Sequence, residues 1–319
     1  MPRPLPGEVL VRVRAIGLNF ADVVGRWGVY PGTPPPPFVP GIEFSGDVVA
    51  VGESVSRFKG RERVLGYSRL GSHAEFVTVR ASTAVTMPDE MTYENGAAFL
   101  VASMTSYHAL VGLAHARAKE RVLIHAAAGG VGTVACQLAS HLGCTVIGTV
   151  GREQKRPVAS RYGAGYVVNY RTEDITQRIL EITDGYGIDI VLDSIGGSLF
   201  RKGWRLLAGM GRYVLFGISA VSGSGGLNRL KAALVLASMR AVAPSALLSA
   251  NRSLSGFNLG TLMNRDDYLQ EAGEAVMRLY KLGVLQPVIG HRFPFQEIAT
   301  AHRLLQTGET VGKVVVTFE

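Results

Sequence analysis

The run Ala126-Ala127-Ala128-Gly129-Gly130-Val131-Gly132 follows an apolar strand-like stretch, residues 122–125, and opens directly into residues with helical spacing. Small side chains there let the backbone turn tightly and approach a pyrophosphate, whose charge would meet free N–H groups and the positive end of the helix. Ala128, Gly129, Gly130, Val131 and Gly132 are therefore candidate cofactor-binding residues; the competing reading is a purely structural glycine turn. Ala126 stands where the usual fingerprint has its first glycine. The next strand-like run ends in Thr149-Val150-Gly151-Arg152-Glu153-Gln154-Lys155. An NAD site carries an acid at this point to accept from the ribose hydroxyl, whereas a glycine followed by Arg152 and Lys155 leaves room for a 2′-phosphate and supplies cations to it. NADP is the expected cofactor. Two charge-assisted contacts of roughly 1.5–3 kcal/mol each would give a preference on the order of a hundredfold or more. Glu153 counts against this reading, and a basic helix start with no ligand competes with it.

The elements that must hold these residues follow from composition and periodicity. A chain of 319 residues predicts about two domains. Hydrophobic residues make up 47% and charged residues only 18%, with 39 glycines, which excludes a disordered chain. The net charge of +8 favours anionic cofactors but is equally that of a solvated surface. Cys136 and Cys144 are the only cysteines, so a disulfide framework or a four-cysteine zinc site is excluded and the cytoplasm is the default compartment. The N-terminus has no signal-like apolar core, and the longest apolar stretch, residues 232–237, falls far short of the roughly 20 residues that span a bilayer, so a soluble protein is expected.

Val9, Val11 and Val13 alternate with Arg12 and Arg14, the period of a half-buried strand, and residues 46–52 and 74–79 read as further strands around a proline-rich surface loop at 31–40. After Pro88 strands alternate with helices: 122–125 then 131–142, 145–150 then 153–162, 188–193 then 199–207, and 212–216. Val131, Val134, Ala135, Leu138, Ala139 and Leu142 share one helical face. That alternation predicts an α/β fold with a parallel sheet wrapped by helices. Helices at 268–282 and 295–306 and a closing strand at 313–318 complete the chain.

These features are distributed as in a known family. The blocks Gly17-Leu18-Asn19-Phe20-Ala21-Asp22, Gly28-Val29-Tyr30-Pro31, Pro40-Gly41-Ile42-Glu43, the glycine-rich loop, Asn169-Tyr170, Asp193 to Gly197, Phe216-Gly217 and Gly312-Lys313 resemble zinc-independent members of the medium-chain dehydrogenase/reductase superfamily, of the quinone oxidoreductase type. The stretch from Ser245 to Gly260 is similar to the vesicle amine transport protein branch and to polyketide-synthase enoylreductase domains. The resemblance implies a Rossmann doubly wound sheet, residues 103–257, inserted in a GroES-like β-rich catalytic domain formed by 1–102 and 258–319. It implies that Arg152, Lys155 and Tyr170 border the 2′-phosphate and that Phe216 and Gly217 lie near the nicotinamide ribose. Relatives usually have another strand or two before the position where this chain starts, so a truncated product or excised domain is expected.

Zinc-dependent cousins hold their metal with Cys and His where this sequence has Asn19 and Ile42, which cannot replace them. The seven histidines have no local metal spacing, and no metal is expected. The chemistry implied is one that needs only a hydride and a polarised carbonyl, as in enones, enoyl thioesters and quinones. Tyr30 occupies the position of the proton-donating tyrosine of related enoyl reductases, and Asn19 offers an amide N–H to the same oxygen. Packing beside the proline-rich loop and turn formation are the respective alternatives. Asp22 and Glu43 read as structural hydrogen-bonding carboxylates. A second tyrosine common in quinone reductases is replaced by Asp22-Val23-Val24-Gly25, which argues against a strictly quinone-directed pocket.

The partners expected are a small apolar carbonyl or quinone substrate and a second copy of the chain in a sheet-edge homodimer, with no specific nucleic acid. The segment 227–256 carries Leu230, Ala233, Leu234, Ala237 and Val242 near helical spacing, flanked by Arg229, Lys231 and Arg240. Such a stripe is core or a subunit contact, or else lines a substrate pocket or lies on an anionic membrane surface. The last possibility supports an alternative function, a cofactor-binding vesicle-protein-like module for lipid or membrane-surface interaction with little catalysis.

Overall fold

The structure is a computed structural model and describes residues 1–223, 226–227, 229–239, 242–262 and 265–318. The chain groups into two compact units: unit 1 is Met1–Met104, Leu259–Lys281 and Gln286–Glu319, and unit 2 is Thr105–Asn258 with Leu282–Leu285.

Unit 1 begins with β1 (Glu8–Leu18), α1 (Phe20–Arg26), β2 (Glu43–Val51), β3 (Arg63–Tyr67), β4 (Phe76–Arg80), β5 (Ala84–Thr86), α2 (Tyr93–Ala97) and the start of α3 (Leu100–Tyr107). Unit 2 follows with β6 (Arg121–Ile124), α4 (Gly130–His141), β7 (Thr145–Val150), α5 (Arg156–Arg161), β8 (Tyr166–Asn169), α6 (Ile175–Ile182), β9 (Ile188–Asp193), α7 (Ser198–Leu206), β10 (Leu207–Leu215), the two-residue strands β11 (Ser222–Gly223) and β12 (Gly226–Leu227), α8 (Arg229–Met239), α9 (Pro244–Ala250) and β13 (Ser253–Gly256). The chain then returns to unit 1 with α10 (Asp266–Lys281), β14 (Ile289–Pro294), α11 (Ile298–Thr307) and β15 (Lys313–Thr317).

Among the described residues, the strands of unit 1 form a sheet in the order β14-β15-β1-β2-β3-β5, with β4 also paired to β1. The last strand closes against the first: β15 runs antiparallel to β1, with Ile16 opposite Val316 and Leu18 opposite Val314. Val9, Val11, Val13, Ile16, Phe44, Phe58, Val64, Val77, Val314 and Val316 build the core of this unit. The strand expected at 8–14 continues to Leu18 and contains register shifts at Leu10/Val11 and Val13/Ala15, which explains why Leu10, out of phase in the alternation, is also buried.

Unit 2 has a sheet in the order β13-β10-β9-β6-β7-β8. Every neighbouring pair is parallel, and read from the other edge this is the 3-2-1-4-5-6 order of a doubly wound dinucleotide fold. The face of α4 foreseen from its spacing is turned inward at Val134, Ala135, Leu138 and Ala139. The single helix expected over 153–162 is instead a 3₁₀ turn, Glu153–Lys155, and the short α5, because Pro157 is confined to a first-turn position and restarts the helix there.

The run Tyr93–Leu113 is long and apolar enough to cross a bilayer by length and composition, but 72% of its apolar window is buried inside the protein, as in a core helix. Of the stripe residues, Leu230 and Leu234 are 72% and 64% exposed, which sets aside the core alternative for these two, whereas Val242 packs on the unit 2 core and Val235 and Met239 are the α8 side chains that face Gly197 and Gly196. Arg240 lies outside the described residues, as do the side chains of Arg229 and Lys231.

Candidate functional site

In unit 2 the candidate residues gather at the C-terminal ends of parallel strands, where β6 is flanked by β7 and β9 and the winding direction reverses. Such a switch point opens a crevice between loops that leave the sheet on opposite faces. After β6 the backbone turns sharply: Ala126 sits at φ 52°, its C=O accepts the N–H of Gly129, and Ala127 N–H binds Thr149 O at 3.0 Å. An alanine in this left-handed region costs about 1–2 kcal/mol, so the departure from the glycine fingerprint is a tolerated strain. Gly129 caps α4 in an extended conformation. A Cβ on Gly132 would fall 2.1 Å from Ala126 O, so only glycine lets α4 come this close to the end of β6. Gly129, Gly130 and Val131 are partly exposed and Ala128 is buried, which leaves the first turn of α4 accessible on a packed base.

Beneath this loop His125 is buried, with Nδ1 2.9 Å from Thr149 Oγ1, and burial pulls its pKa down despite the nearby Asp193. Asp193 accepts from the Tyr213 hydroxyl at 2.6 Å and from the N–H groups of Ile195 and Gly196 at 2.7 and 2.9 Å. That carboxylate fixes the turn after β9. Phe216 N–H in turn binds Asp193 O, a Cβ on Gly217 would press on Ser194 O at 2.9 Å, and the Phe216 ring stacks on Phe257.

At the end of β7 the structure brings together two of the predicted residues. A Cβ on Gly151 would lie 2.5 Å from the Tyr170 hydroxyl oxygen, so Tyr170 stands over the place where an acidic side chain would begin. Glu153, which counted against a phosphate at this position, is held elsewhere. It accepts from Arg156 Nε at 2.6 Å and from Asn169 Nδ2 at 3.2 Å, and these hydrogen bonds lower its pKa. Arg156 also reaches Glu173 at 2.7 Å. Arg152 is exposed and Lys155 partly so, on the 3₁₀ turn beside Gly151.

Unit 1 holds Asn19 and Tyr30. Asn19 is the N-cap of α1. Its Nδ2 donates to Gly17 O at 3.0 Å and to Glu43 Oε2 at 2.9 Å, while its Oδ1 accepts from Lys313 Nζ at 2.7 Å. Flipping the amide would set its oxygen against the Glu43 carboxylate, so this orientation is fixed. Both amide hydrogens are therefore paired, which corrects the expectation of an N–H available for a substrate oxygen. Lys313 Nζ also binds Glu43 Oε2 at 2.7 Å, and Glu43 Oε1 accepts from Val101 N–H at 2.8 Å. With Glu43 and Lys313 almost fully buried, the set is a paired buried charge tied to a neutral amide. Tyr30, partly buried, follows α1 in the loop leading to β2, and its C=O accepts from Thr33 N–H.

Lys313 was legible in the sequence only as part of a terminal block, since its partners lie 294 and 270 residues away. Asp22 accepts from Asn19 N–H at 2.7 Å and Glu43 from three donors, so both carboxylates are hydrogen-bonded. Asn19 and Ile42 do not form a zinc ligand set, because the amide is committed to Lys313 and Glu43 and Ile42 has no donor atom in its side chain.

Comparison with known proteins agrees with this geometry. The alcohol dehydrogenase GroES-like domain profile matches residues 5–89, and a zinc-binding dehydrogenase profile matches residues 162–316. The synaptic vesicle membrane protein VAT-1 homolog of Rattus norvegicus is 39% identical over 316 residues, 99% of this chain and 78% of the relative. The crystal structure of Escherichia coli quinone oxidoreductase complexed with NADPH superposes with a TM-score of 0.86 at 31% identity, covering 99% of this chain and 94% of that one. The CurK enoyl reductase structure gives 0.84 at 29% identity, covering 100% and 94%. The chain belongs to the medium-chain dehydrogenase/reductase superfamily, close to its VAT-1 homologs, quinone oxidoreductases and enoyl reductases.

Proposed function

We propose that the chain is an NADPH-dependent, zinc-independent oxidoreductase that transfers hydride to the activated C=C of an enone or enoyl thioester, or to a quinone. The observation that carries the reading is the end of β7: a glycine covered by Tyr170, followed by Arg152 and Lys155, with Glu153 bound to Arg156 and Asn169. A 2′-phosphate is the group that such a basic rim favours, its Glu153 carboxylate being paired with Arg156 and Asn169. NADPH supplies the hydride when bound.

The chain's own residues provide the rest. N–H groups of Ala128 to Gly132 hold the pyrophosphate at the start of α4; Arg152, Lys155 and Tyr170 hold the 2′-phosphate; and Phe216 with Gly217 borders the nicotinamide ribose. Hydride addition at the far carbon leaves an enolate or phenolate. Tyr30 donates a hydrogen bond or a proton to it through its phenol hydroxyl. Asn19 contributes through its buried set with Glu43 and Lys313, which keeps the start of α1 rigid. Turnover belongs in the cytoplasm, in a homodimer, for which the edges of the parallel sheet, β13 and β8, are candidate pairing strands.

The test is a fluorescence titration with NADPH and NADH, followed by NADPH oxidation with quinones, enones and enoyl thioesters. Turnover with at least one class is expected, with a marked loss in Tyr30→Phe; no oxidation with any of the three would overturn the reading. A second reading, membrane-surface contact, draws on the exposed Leu230, Leu234, Leu236 and Leu248. Absence of co-sedimentation with anionic vesicles at low salt would exclude it.

A further inference from the structure

The polar interior of unit 1 continues past Asn19, Glu43 and Lys313 into a second group of side chains. Asp22, in the first turn of α1, binds the N–H of Asn19 through Oδ2, and that same oxygen lies 3.9 Å from His73 Nε2. The His73 ring meets His302, on α11, edge to face with 5.2 Å between centroids. Asp22 and His73 side chains are 0% and 3% exposed. Four of their atoms, Asp22 Oδ1, both ring nitrogens of His73 and His302 Nδ1, are buried with no hydrogen-bond partner. The same two helices are tied by Arg26 donating to Gln306 at 2.6 Å.

Charge decides the state of this cluster. Lys313 and Glu43 face Asp22, Asp22 and His302 face His73, and Arg26 faces His302. A proton on either imidazole would add a buried cation close to Arg26 or to the other imidazole, and loss of the Asp22 proton would add a buried anion beside Glu43. Accordingly burial lifts the Asp22 carboxyl up to about 7 and pulls His73 and His302 down to about 3 and about 4. A protonated Asp22 gains an O–H donor that the ionised carboxylate lacks, while Oδ2 goes on accepting from Asn19.

We propose that Asp22, His73 and His302 form a proton-dependent positioning cluster that holds the start of α1, and with it Asn19, in place only while all three are uncharged. The proposal rests on the reading of Asn19 as part of the substrate side of the site. Asp22 and His73 act through Asn19 and are positioning residues. As pH rises the cluster loses one proton, from Asp22; as pH falls it gains protons on His302 and His73.

Trp27, the C-cap of α1, reports the helix once Trp204, the other of the two tryptophans, is replaced in a Trp204→Phe background. Its emission is followed against pH without coenzyme or acceptor, and kcat and KM for NADPH are measured in parallel. The wild-type cluster is expected to give a transition near pH 7 in both emission and kcat. Asp22→Asn should abolish it and leave KM for NADPH within about twofold, and His302→Gln should remove the acid transition. Identical profiles in wild type and Asp22→Asn, or no transition near neutrality in the wild type, would overturn the proposal. Should Asp22→Asn not fold, the carboxyl carbon resonance of Asp22 in the unsubstituted chain decides: titration near 7 supports the cluster and a midpoint below 5 refutes it. An emission transition without turnover of any acceptor would leave the cluster standing and defeat the proposed function, whereas turnover with coincident profiles would do the reverse.

Discussion

The two units build their candidate sites by opposite means. In unit 2 the groups lie on short turns, a glycine-rich one after β6 and a basic one after β7, placed by the C-terminal ends of parallel strands. In unit 1 they are largely buried, mutually paired side chains from the start of α1, β2 and β15 that meet only because β15 closes against β1. A loop of glycines works by what it leaves open, so it tolerates exposure and is vulnerable to added atoms. A buried ionic set works by being complete, so it is vulnerable to the loss of any one member.

Four sets of substitutions separate these modes, the fixed losses taken in descending order. Glu43→Gln or Lys313→Met leaves the partner charge buried and unpaired and should destabilise the protein by about 3–5 kcal/mol, read from denaturant midpoints. Replacing Arg156 of the more exposed Glu153–Arg156–Glu173 network should cost a small fraction of that; equal losses would erase the contrast. Gly132→Ala forces a methyl onto Ala126 O, so α4 must move away from β6, with a loss of about 2 kcal/mol or more and weakened coenzyme binding. Unchanged melting and binding would show that the close approach has no consequence.

Arg152→Ala and Lys155→Ala should each weaken NADPH binding by about tenfold or more while leaving NADH untouched, since each removes roughly 1.5–3 kcal/mol of charge-assisted contact to the phosphate alone. Equal weakening of both coenzymes would place these cations on the shared pyrophosphate instead. The last effect is read as a slope against pH. Asp22 holds a proton in the folded state that the unfolded chain releases from about pH 4 upward, so it erodes stability as pH rises to about 7. Asp22→Asn removes that opposition, and its stability should rise with pH more steeply than wild type by about 1.4 kcal/mol per pH unit across this window. His73 and His302 act in the other direction, their neutral forms supporting the fold until acid charges them.

The same contrast explains how much could be read from sequence. The glycine-rich loop, the basic run after β7 and the strand–helix alternation are local patterns, and unit 2 follows them closely. Asn19 and Asp22, three residues apart as in a capping box, also lay in plain view. The assignment of Lys313, His73 and His302 to one interior did not, because no local period links positions that far apart; only closure of the sheet does. Glu153 weighed against NADP although Arg156, one of its partners, lies only three residues on; the other, Asn169, comes from β8, and that pairing is tertiary. The α8 stripe left its direction open for a related reason: helical spacing gives a face but not what it meets, and here Val235 and Met239 are the α8 side chains that turn inward.

Calorimetric titration of the purified chain with NADPH and NADH tests the central claim most directly. Tyr170 over Gly151, with Arg152 and Lys155 alongside, predicts NADPH binding at least about tenfold tighter than NADH. Equal affinities, or tighter uptake of NADH, would contradict it.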